Sequence, residues 1–153
     1  MAVIQVKSST FKDGAAIPAK HAYKGEGQNV SPEIAWEGAP PKTGEFALIC
    51  DDPDAPRPTP WVHWVVYNIP AGTVLIPEGG LEGALEGRND FGEKGWGGPM
   101  PPKGHGVHHY HFTVYALEGK HPMAPGLSKD ELLAAIRDRI VATGKLIGTY
   151  ERR

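Results

Sequence analysis

Turn-forming residues recur along the whole sequence, and they limit the length of every element that the chain can form. Glycine and proline account for 20 and 15 of the 153 residues, and they are spread through the chain rather than gathered in one block. Scattered turn formers without a low-complexity segment are typical of many short strands joined by tight connections. We therefore expect a β-rich protein.

Three apolar runs between these turns have the composition of strands. Residues 46–50 form a continuous apolar run, as expected of a strand that is buried on both faces. Residues 61–69 are rich in β-branched and aromatic side chains. Residues 107–117 alternate, so that every second side chain from Tyr110 to Ala116 shares one face. Shorter strands are predicted over residues 2–6, 34–36 and 145–150.

One helix is predicted near the end of the chain. Ser128 and Glu131 have the spacing of a capping box, and apolar residues then recur at helical spacing as far as Val141. Gly144 is predicted to cap the end of this helix. Several strands and one late helix, without βαβ alternation, predict a mainly β single domain over residues 1–153. We expect an antiparallel two-sheet sandwich with Greek-key connections and one or two short helices.

Length, charge and cysteine content exclude several classes of protein. The 153 residues are enough for one independent core, and a formal net charge of −2 gives no basis for binding nucleic acid. No apolar signal segment and no apolar span of about 18 residues occurs, so we expect a cytoplasmic protein without stable membrane insertion. The single cysteine, Cys50, excludes an internal disulfide and is expected to be a buried thiol.

Two stiff loops each precede a strand that begins with aromatic residues and carries a histidine. Residues 51–60 contain four prolines together with Asp52, and they lead into the strand of His63. Residues 95–106 are rich in glycine and proline, and they lead into the strand of His108. Each proline fixes its own φ angle and restricts the residue before it, so both loops are expected to be rigid.

The starts of the two strands are candidates for one shared pocket. His63 lies on the same strand face as Trp61, and His108 lies on the same face as Tyr110. If the two strands are neighbours in a sheet, their starts place His63, His108 and Tyr110 around one pocket. For either segment alone, an ordinary turn and a packing histidine remain an open alternative. Two rigid loops together favour a binding site, because little conformational entropy is lost when a ligand binds.

Neither a metal site nor a catalytic site is predicted. His105, His108, His109 and His111 are close in sequence, but the last two do not share a face with His108, and no paired-cysteine or His-Glu-x-x-His spacing occurs. No Gly-x-Ser-x-Gly nucleophile elbow is present, and Cys50 is expected to be buried. We expect no metal, no cofactor and no enzymatic activity.

Two segments carry closely spaced motifs. One is Asp52-Pro-Asp-Ala-Pro56 followed by Trp61-Val-His63, and the other is Gly98-Pro-Met-Pro-Pro-Lys-Gly104 followed by His108-His-Tyr110. They resemble the two signature regions of the phosphatidylethanolamine-binding protein family. Residues 31–40 are similar to an early segment of that family, and residues 146–150 to the end of its prokaryotic Raf kinase inhibitor-like branch. The resemblance covers nearly the whole chain.

The resemblance implies a two-sheet sandwich with a small pocket at one end, which in the family takes anions such as phosphate, phosphorylethanolamine or acetate. It also implies a cis peptide bond before Pro56, and a homodimer. Two positions depart from the family pattern and bear on anion affinity: His109 stands in place of an arginine, and Met100 in place of a glycine or cysteine. Carried over by motif position, the pocket comprises Asp52, Ala55, Pro56, Trp61, His63, Gly98, Pro101, His108 and Tyr110.

These observations together predict a non-enzymatic protein that binds a small anionic ligand. An imidazolium at His63 or His108 is expected to donate to the anion, and Asp52 is expected to hold a histidine in its protonated state. The alternative is an inhibitor of a kinase or protease that acts through its protein surface. A hydrolase of small phosphoesters is the least favoured interpretation, because no nucleophile is visible.

Overall fold

The computed structural model describes residues 2–153, and its regular structure is mostly β. The helical segments are α1 (Lys129–Ile136) and two 3₁₀ turns, Ala19–His21 and Arg137–Arg139. The strands are β1 (Ala2–Val3), β2 (Gln5–Lys7), β3 (Ile34–Glu37), β4 (Thr43–Asp52), β5 (Trp61–Pro70), β6 (Leu75–Ile76), β7 (Leu85–Glu86), β8 (His108–Glu118) and β9 (Ile140–Tyr150).

The strands form two sheets, which confirms the predicted fold class. The larger sheet has the order β1-β9-β8-β4-β5-β7, and the smaller has the order β2-β3-β6. Among the strand pairs of residues 2–153, β1 with β9 is parallel and the others are antiparallel. The strand predicted over residues 2–6 is two short strands that belong to different sheets.

The main apolar core lies between the two sheets. The alternate residues of β8 from Tyr110 to Ala116 are each at most 1% exposed and point into this core, as their spacing predicts. The smaller sheet contributes Trp36 of β3 and Ile76 of β6 to the same cluster. Burying such a large side chain contributes about 1.5–3 kcal/mol, so the alternation of β8 is a main determinant of the sandwich.

Helix α1 covers the other face of the larger sheet. Leu132 and Ile136 are fully buried there, in one cluster with Ile49 of β4 and Val65 of β5. Residues 46–50 of β4 therefore have packed neighbours on both faces, and all five are buried, as the continuous apolar run predicts. No helix of residues 2–153 has the length and apolar character needed to cross a membrane.

The start of α1 was predicted correctly, but its end was not. The Oγ atom of Ser128 accepts the N–H of Glu131 at 3.1 Å, and a Glu131 carboxylate oxygen accepts the N–H of Ser128 at 2.9 Å. The helix ends at Ile136, and the predicted cap, Gly144, lies inside β9. The reason is tertiary: β9 pairs with β8 along nearly its whole length, and this ladder outweighs the local helical spacing.

The order of the larger sheet also sets where the two stiff loops meet. The assumption that β5 and β8 are neighbours is wrong, because β4 lies between them. Both strands are antiparallel to β4, so both begin beside its last residues. Asp52 at the end of β4 is opposite Trp61, and Asp51 is opposite His111. The strand starts are therefore brought together across β4 rather than side by side.

Candidate functional site

A cavity of about 180 Å³ lies where β4 ends and β5 and β8 begin. Its volume is below the roughly 300–1,000 Å³ of sites that enclose drug-sized ligands, so it suits a small group. Eight of the nine predicted site residues line it, and Gly98 does not. The full lining is Asp52, Ala55, Pro56, Trp61, His63, Phe91, Met100, Pro101, Pro102, His108 and Tyr110.

The two stiff loops provide two walls of this cavity. Ala55 and Pro56 come from the loop after β4, and residues 100–102 come from the loop before β8. The peptide bonds of residues 2–153 are all trans, so the predicted cis bond before Pro56 is wrong. A trans bond is the ordinary preference of an X–Pro step, by about 0.5–1 kcal/mol. The chain turns here through a hydrogen bond of 2.7 Å from the N–H of Arg57 to the carbonyl of Ala55.

The ring of His63 is held through Nδ1 by the backbone of Gly97. The side chain is 3% exposed, and its Nδ1 donates to the carbonyl of Gly97 at 2.6 Å, while the N–H of Gly97 donates to the carbonyl of His63 at 2.9 Å. A carbonyl can only accept, so Nδ1 carries a proton and Nε2 is the nitrogen that changes its protonation. The bond to Gly97 occupies Nδ1 and leaves Nε2 as the other nitrogen of a ring that lines the cavity. Gly97 thus fixes the tautomer, a role that its sequence context did not reveal.

The protein environment of His63 favours the neutral ring. Burial lowers the pKa of His63, while the carbonyl of Gly97 and the carboxylate of Asp52 act in the opposite direction. A neutral His63 presents a lone pair at Nε2, and a protonated His63 presents a hydrogen-bond donor there. An acceptor ligand therefore binds better to the protonated ring.

Asp52 pairs with His108, and both carboxylate oxygens and both ring nitrogens of this pair have hydrogen-bond partners. One carboxylate oxygen accepts from Nδ1 of His108 at 2.6 Å, and the other accepts the N–H of Asp54 at 2.7 Å. Nε2 of His108 lies 2.6 Å from Nδ1 of His105. Both nitrogens of His108 are therefore occupied within the protein. Of the two histidines expected to donate to an anion, His108 has both ring nitrogens paired with other side chains, whereas the ring of His63 is held by the backbone.

Tyr110 and Trp61 also belong to the lining, and each carries a hydrogen-bond donor. Nε1 of Trp61 is buried without a partner within residues 2–153. Burial and the charge of Asp52 raise the pKa of Tyr110, so its hydroxyl stays protonated and can donate. A buried donor without a partner costs about 1–3 kcal/mol, and a ligand oxygen near Nε1 would remove that cost.

Phe91 is a wall residue that the sequence did not indicate. Its ring meets the rings of Trp61 and His63 at centroid distances of 5.4 and 5.6 Å, edge to face, and stacks on Tyr23 at 4.0 Å. It lies in a polar, glycine-rich stretch without strand or helix periodicity. A side chain fixed by contacts distant in sequence leaves no local pattern, so periodicity could not identify it.

Gly98 does not line the cavity, but it packs closely against an earlier loop of the chain. Its N–H donates to the side-chain oxygen of Asn29 at 2.8 Å. A Cβ atom at this position would lie 2.0 Å from the carbonyl oxygen of His21 and 2.7 Å from the carbonyl carbon of Ala22. The glycine therefore allows the second stiff loop to pack directly on the backbone of an earlier loop.

His109 and Met100, which depart from the family pattern, lie in different places relative to the cavity. Nδ1 and the backbone N–H of His109 contact one carboxylate oxygen of Asp54, at 2.7 and 2.8 Å, and both side chains are largely exposed and outside the cavity lining. Burial acts to raise the pKa of Asp54, but the hydrogen bonds from His109 act in the other direction, and the pKa is lowered. This pair ties the first stiff loop to the start of β8. Met100, in contrast, is part of the cavity wall.

Two further groups matter for the chemistry of the site. Cys50 is fully buried, as predicted, and burial raises the pKa of its thiol. Within residues 2–153, no three side chains of histidine, cysteine, aspartate or glutamate are placed to hold a metal ion. The cavity therefore offers hydrogen-bond donors and apolar walls as its means of recognition.

Known proteins share this architecture. A family model described as phosphatidylethanolamine-binding protein matches residues 7–151. A UPF0098 protein of Methanothermobacter thermautotrophicus is 40% identical over 155 residues, which cover 97% of this chain and 99% of the relative. The crystal structure of YbcL from Escherichia coli has a TM-score of 0.92 and 38% identity, covering 98% of this chain and 99% of YbcL. A carboxypeptidase Y inhibitor, solved with its cognate proteinase, has a TM-score of 0.59 at 17% identity, covers 99% of this chain and 84% of its own, and is similar in fold alone.

Proposed function

The chain belongs to the phosphatidylethanolamine-binding protein family, and from this premise we propose that its cavity binds a small anionic group without changing it chemically. The ligand class is inorganic phosphate, a phosphomonoester such as phosphorylethanolamine, or a carboxylate. One observation carries the proposal. His63 and Tyr110 line one cavity and both carry hydrogen-bond donors, and the same lining includes Trp61, whose buried Nε1 has no partner within residues 2–153.

The surroundings of these donors support an anionic rather than a neutral ligand. The walls are mostly proline, alanine, methionine and aromatic side chains, which exclude water and strengthen each hydrogen bond. Hydrogen bonds from donors to a charged oxygen are about twice as strong as neutral ones. Asp52 is the one carboxylate in the lining, and both of its oxygens already accept hydrogen bonds from the protein. Its repulsion of an anion is therefore reduced.

Binding is coupled to a proton at His63. The protein surroundings favour the neutral ring, because burial lowers the pKa of His63. An anion next to Nε2 favours the charged ring, since an opposite charge within about 4–6 Å stabilises the imidazolium. The proton comes from solvent or, for a phosphomonoester with a second pKa near ~6, from the ligand itself. The proposal thus includes the uptake of a proton on binding.

Chemical turnover is not part of the proposed function. The thiol of Cys50 is sealed in the core, and burial raises its pKa, so it does not serve as a nucleophile for a ligand in the cavity. We expect a phosphomonoester incubated with the protein to remain intact, with no release of inorganic phosphate above the rate without protein. Release that is lost in a His63→Gln variant would contradict this expectation and indicate a hydrolase.

The binding proposal is tested by heteronuclear NMR titration with inorganic phosphate and with phosphorylethanolamine. We expect localised shifts at the indole N–H of Trp61 and around Asp52, His63 and Tyr110. His63→Gln removes the charged donor and is expected to weaken binding about 10- to 100-fold, the cost of losing a hydrogen bond to a charged group. His121→Gln, at an exposed histidine outside the cavity lining, is the matched control and should bind like the wild type.

Two outcomes of the titration would contradict the proposal. One is the absence of any shift, and the other is a set of shifts scattered over the surface and unaffected by His63→Gln. Either would favour the alternative of a kinase or protease inhibitor that acts through its protein surface. That alternative stays a prediction, because the likeness to the carboxypeptidase Y inhibitor at 17% identity concerns the fold alone.

A further inference from the structure

Both ring nitrogens of His108 have partners within the protein. It is 1% exposed, and its Nδ1 bonds to the carboxylate of Asp52 at 2.6 Å. Its Nε2 lies 2.6 Å from Nδ1 of His105, and the two ring centroids are 4.8 Å apart. His108 lines the cavity, yet His105 occupies the nitrogen that the Asp52 pair leaves available. His105 therefore stands where an acceptor oxygen of a ligand would bind to His108.

The two histidines differ in how firmly the protein holds them. His108 belongs to β8 and is buried, whereas His105 is exposed and lies between Gly104 and Gly106, whose φ angles are +75° and +97°. The loop backbone is tied down by the N–H of Gly104, which donates to the carbonyl of Arg152 at 2.8 Å. Rotation of the His105 side chain alone, without loop movement, is enough to break the contact with His108.

We propose that His105 is a latch on the anion site, a side chain that competes with the ligand for Nε2 of His108. This inference rests on the proposed function and concerns its regulation. In the latched state an anion is held by Trp61, His63 and Tyr110. Displacement of His105 frees Nε2 of His108 for a hydrogen bond with the ligand: the protonated ring donates to a ligand oxygen, with its charge balanced by Asp52, and the neutral ring accepts from a ligand O–H. The observed affinity falls as the fraction of molecules with a closed latch rises, because only the open state offers every hydrogen-bonding group of the site.

The latch predicts that removing His105 tightens anion binding. His105→Ala exposes Nε2 of His108, and we expect the dissociation constant for inorganic phosphate to fall about 2- to 10-fold, the equivalent of one ordinary hydrogen bond. His105→Asn keeps a side-chain amide donor close to the position of Nδ1, so it should restore part of the wild-type affinity. His121→Ala, outside the cavity lining, is the matched control and should leave affinity unchanged.

A spectroscopic measurement separates a latch from a merely structural residue. In ¹⁵N-edited spectra of the imidazole rings, His105 and His108 should show coupled, hydrogen-bonded nitrogens in the free wild type. On saturation with phosphate, the His105 nitrogens should move to the values of a solvent-exposed ring, while Nε2 of His108 remains hydrogen-bonded. A His105 ring that stays hydrogen-bonded in the phosphate complex would overturn the latch.

The affinity measurements also distinguish failure of the latch from failure of the binding site. If wild type and His63→Gln differ as expected but His105→Ala binds no more tightly than wild type, the site stands and the latch is wrong. If neither the wild type nor any His105 variant gives localised phosphate shifts, both proposals are wrong.

Discussion

At the scale of single residues, Gly98 is as important for the cavity as the side chains that line it. The second stiff loop packs on the backbone of residues 21–22 at a distance that leaves no room for a Cβ atom. His63 depends on the neighbouring Gly97, whose carbonyl fixes its tautomer. The chemistry of the cavity therefore depends on where the backbone of residues 97–98 is held, as well as on the ring that it holds.

Gly98→Ala is expected to destabilise the protein by about 1–3 kcal/mol or more, because the added methyl group meets backbone atoms that cannot rotate away. Gly72→Ala is the matched control: a Cβ atom there has no neighbour within 4 Å, and the substitution should be neutral or slightly stabilising. Chemical denaturation of both variants measures the difference. Equal stability of Gly98→Ala and wild type would show that this loop is packed less tightly than the distances indicate.

Sequence motifs predicted most of the residues that line the cavity, and the features that they missed have one cause. Asp52 and His63 belong to one motif and Tyr110 to the other, and the family resemblance grouped the two motifs around one pocket. The partner of Asp52, the role of Gly97 and the capping of His108 by His105 were not predictable in this way, because they depend on contacts between side chains whose relative positions are set by the sheet order. A motif identifies residues but not their hydrogen-bond partners.

At the scale of elements, strand pairing overrides local preference near the end of the chain. The capping box correctly starts α1, and the apolar spacing correctly places Leu132 and Ile136 against the larger sheet. The same spacing continues into residues that pair with β8 instead, so the helix is shorter than predicted and β9 longer. Local sequence thus determines where α1 begins, and the neighbouring strand determines where it ends.

Truncation of α1 side chains should show how much this helix contributes to the free energy of unfolding. Leu132 is fully buried, and Leu132→Ala is expected to cost about 2–5 kcal/mol of unfolding free energy. Leu133→Ala makes the same chemical change at the next position, which is only partly buried, and should cost clearly less. Equal losses from the two variants, measured by chemical denaturation, would contradict the packing of α1 on the sheet.

At the scale of the whole molecule, buried histidines link stability to pH. Burial lowers the pKa of His21 and of His63, so both rings bind a proton more readily in the unfolded chain than in the folded one. Their contribution to stability is present above the unfolded value of about 6.5 and is lost as pH falls from there towards the folded pKa values. The carboxyl groups with lowered pKa, among them Asp54 and Glu93, lose their contributions only at lower pH.

We therefore expect the thermal midpoint to fall as pH is reduced from about 7 to about 5, a range in which histidines rather than carboxyl groups titrate. In His63→Gln the slope should be smaller, because one of the buried histidines is gone. His121→Gln should retain the wild-type slope. A midpoint that is constant across this range would contradict the burial of His21 and His63. The expected homodimer stays a prediction, to be checked by analytical ultracentrifugation at several concentrations.

The measurement that tests the central claim most directly is the affinity for sulfate as a function of pH, because the charge of sulfate is constant while that of phosphate is not. If His63 must be protonated to bind, sulfate affinity should rise as pH falls from about 8.5 to about 5.5, approaching about tenfold per pH unit above the His63 pKa. In His63→Gln the dependence should largely disappear. Sulfate affinity that is flat with pH in the wild type, or equally pH-dependent in the variant, would contradict an anion site built on His63.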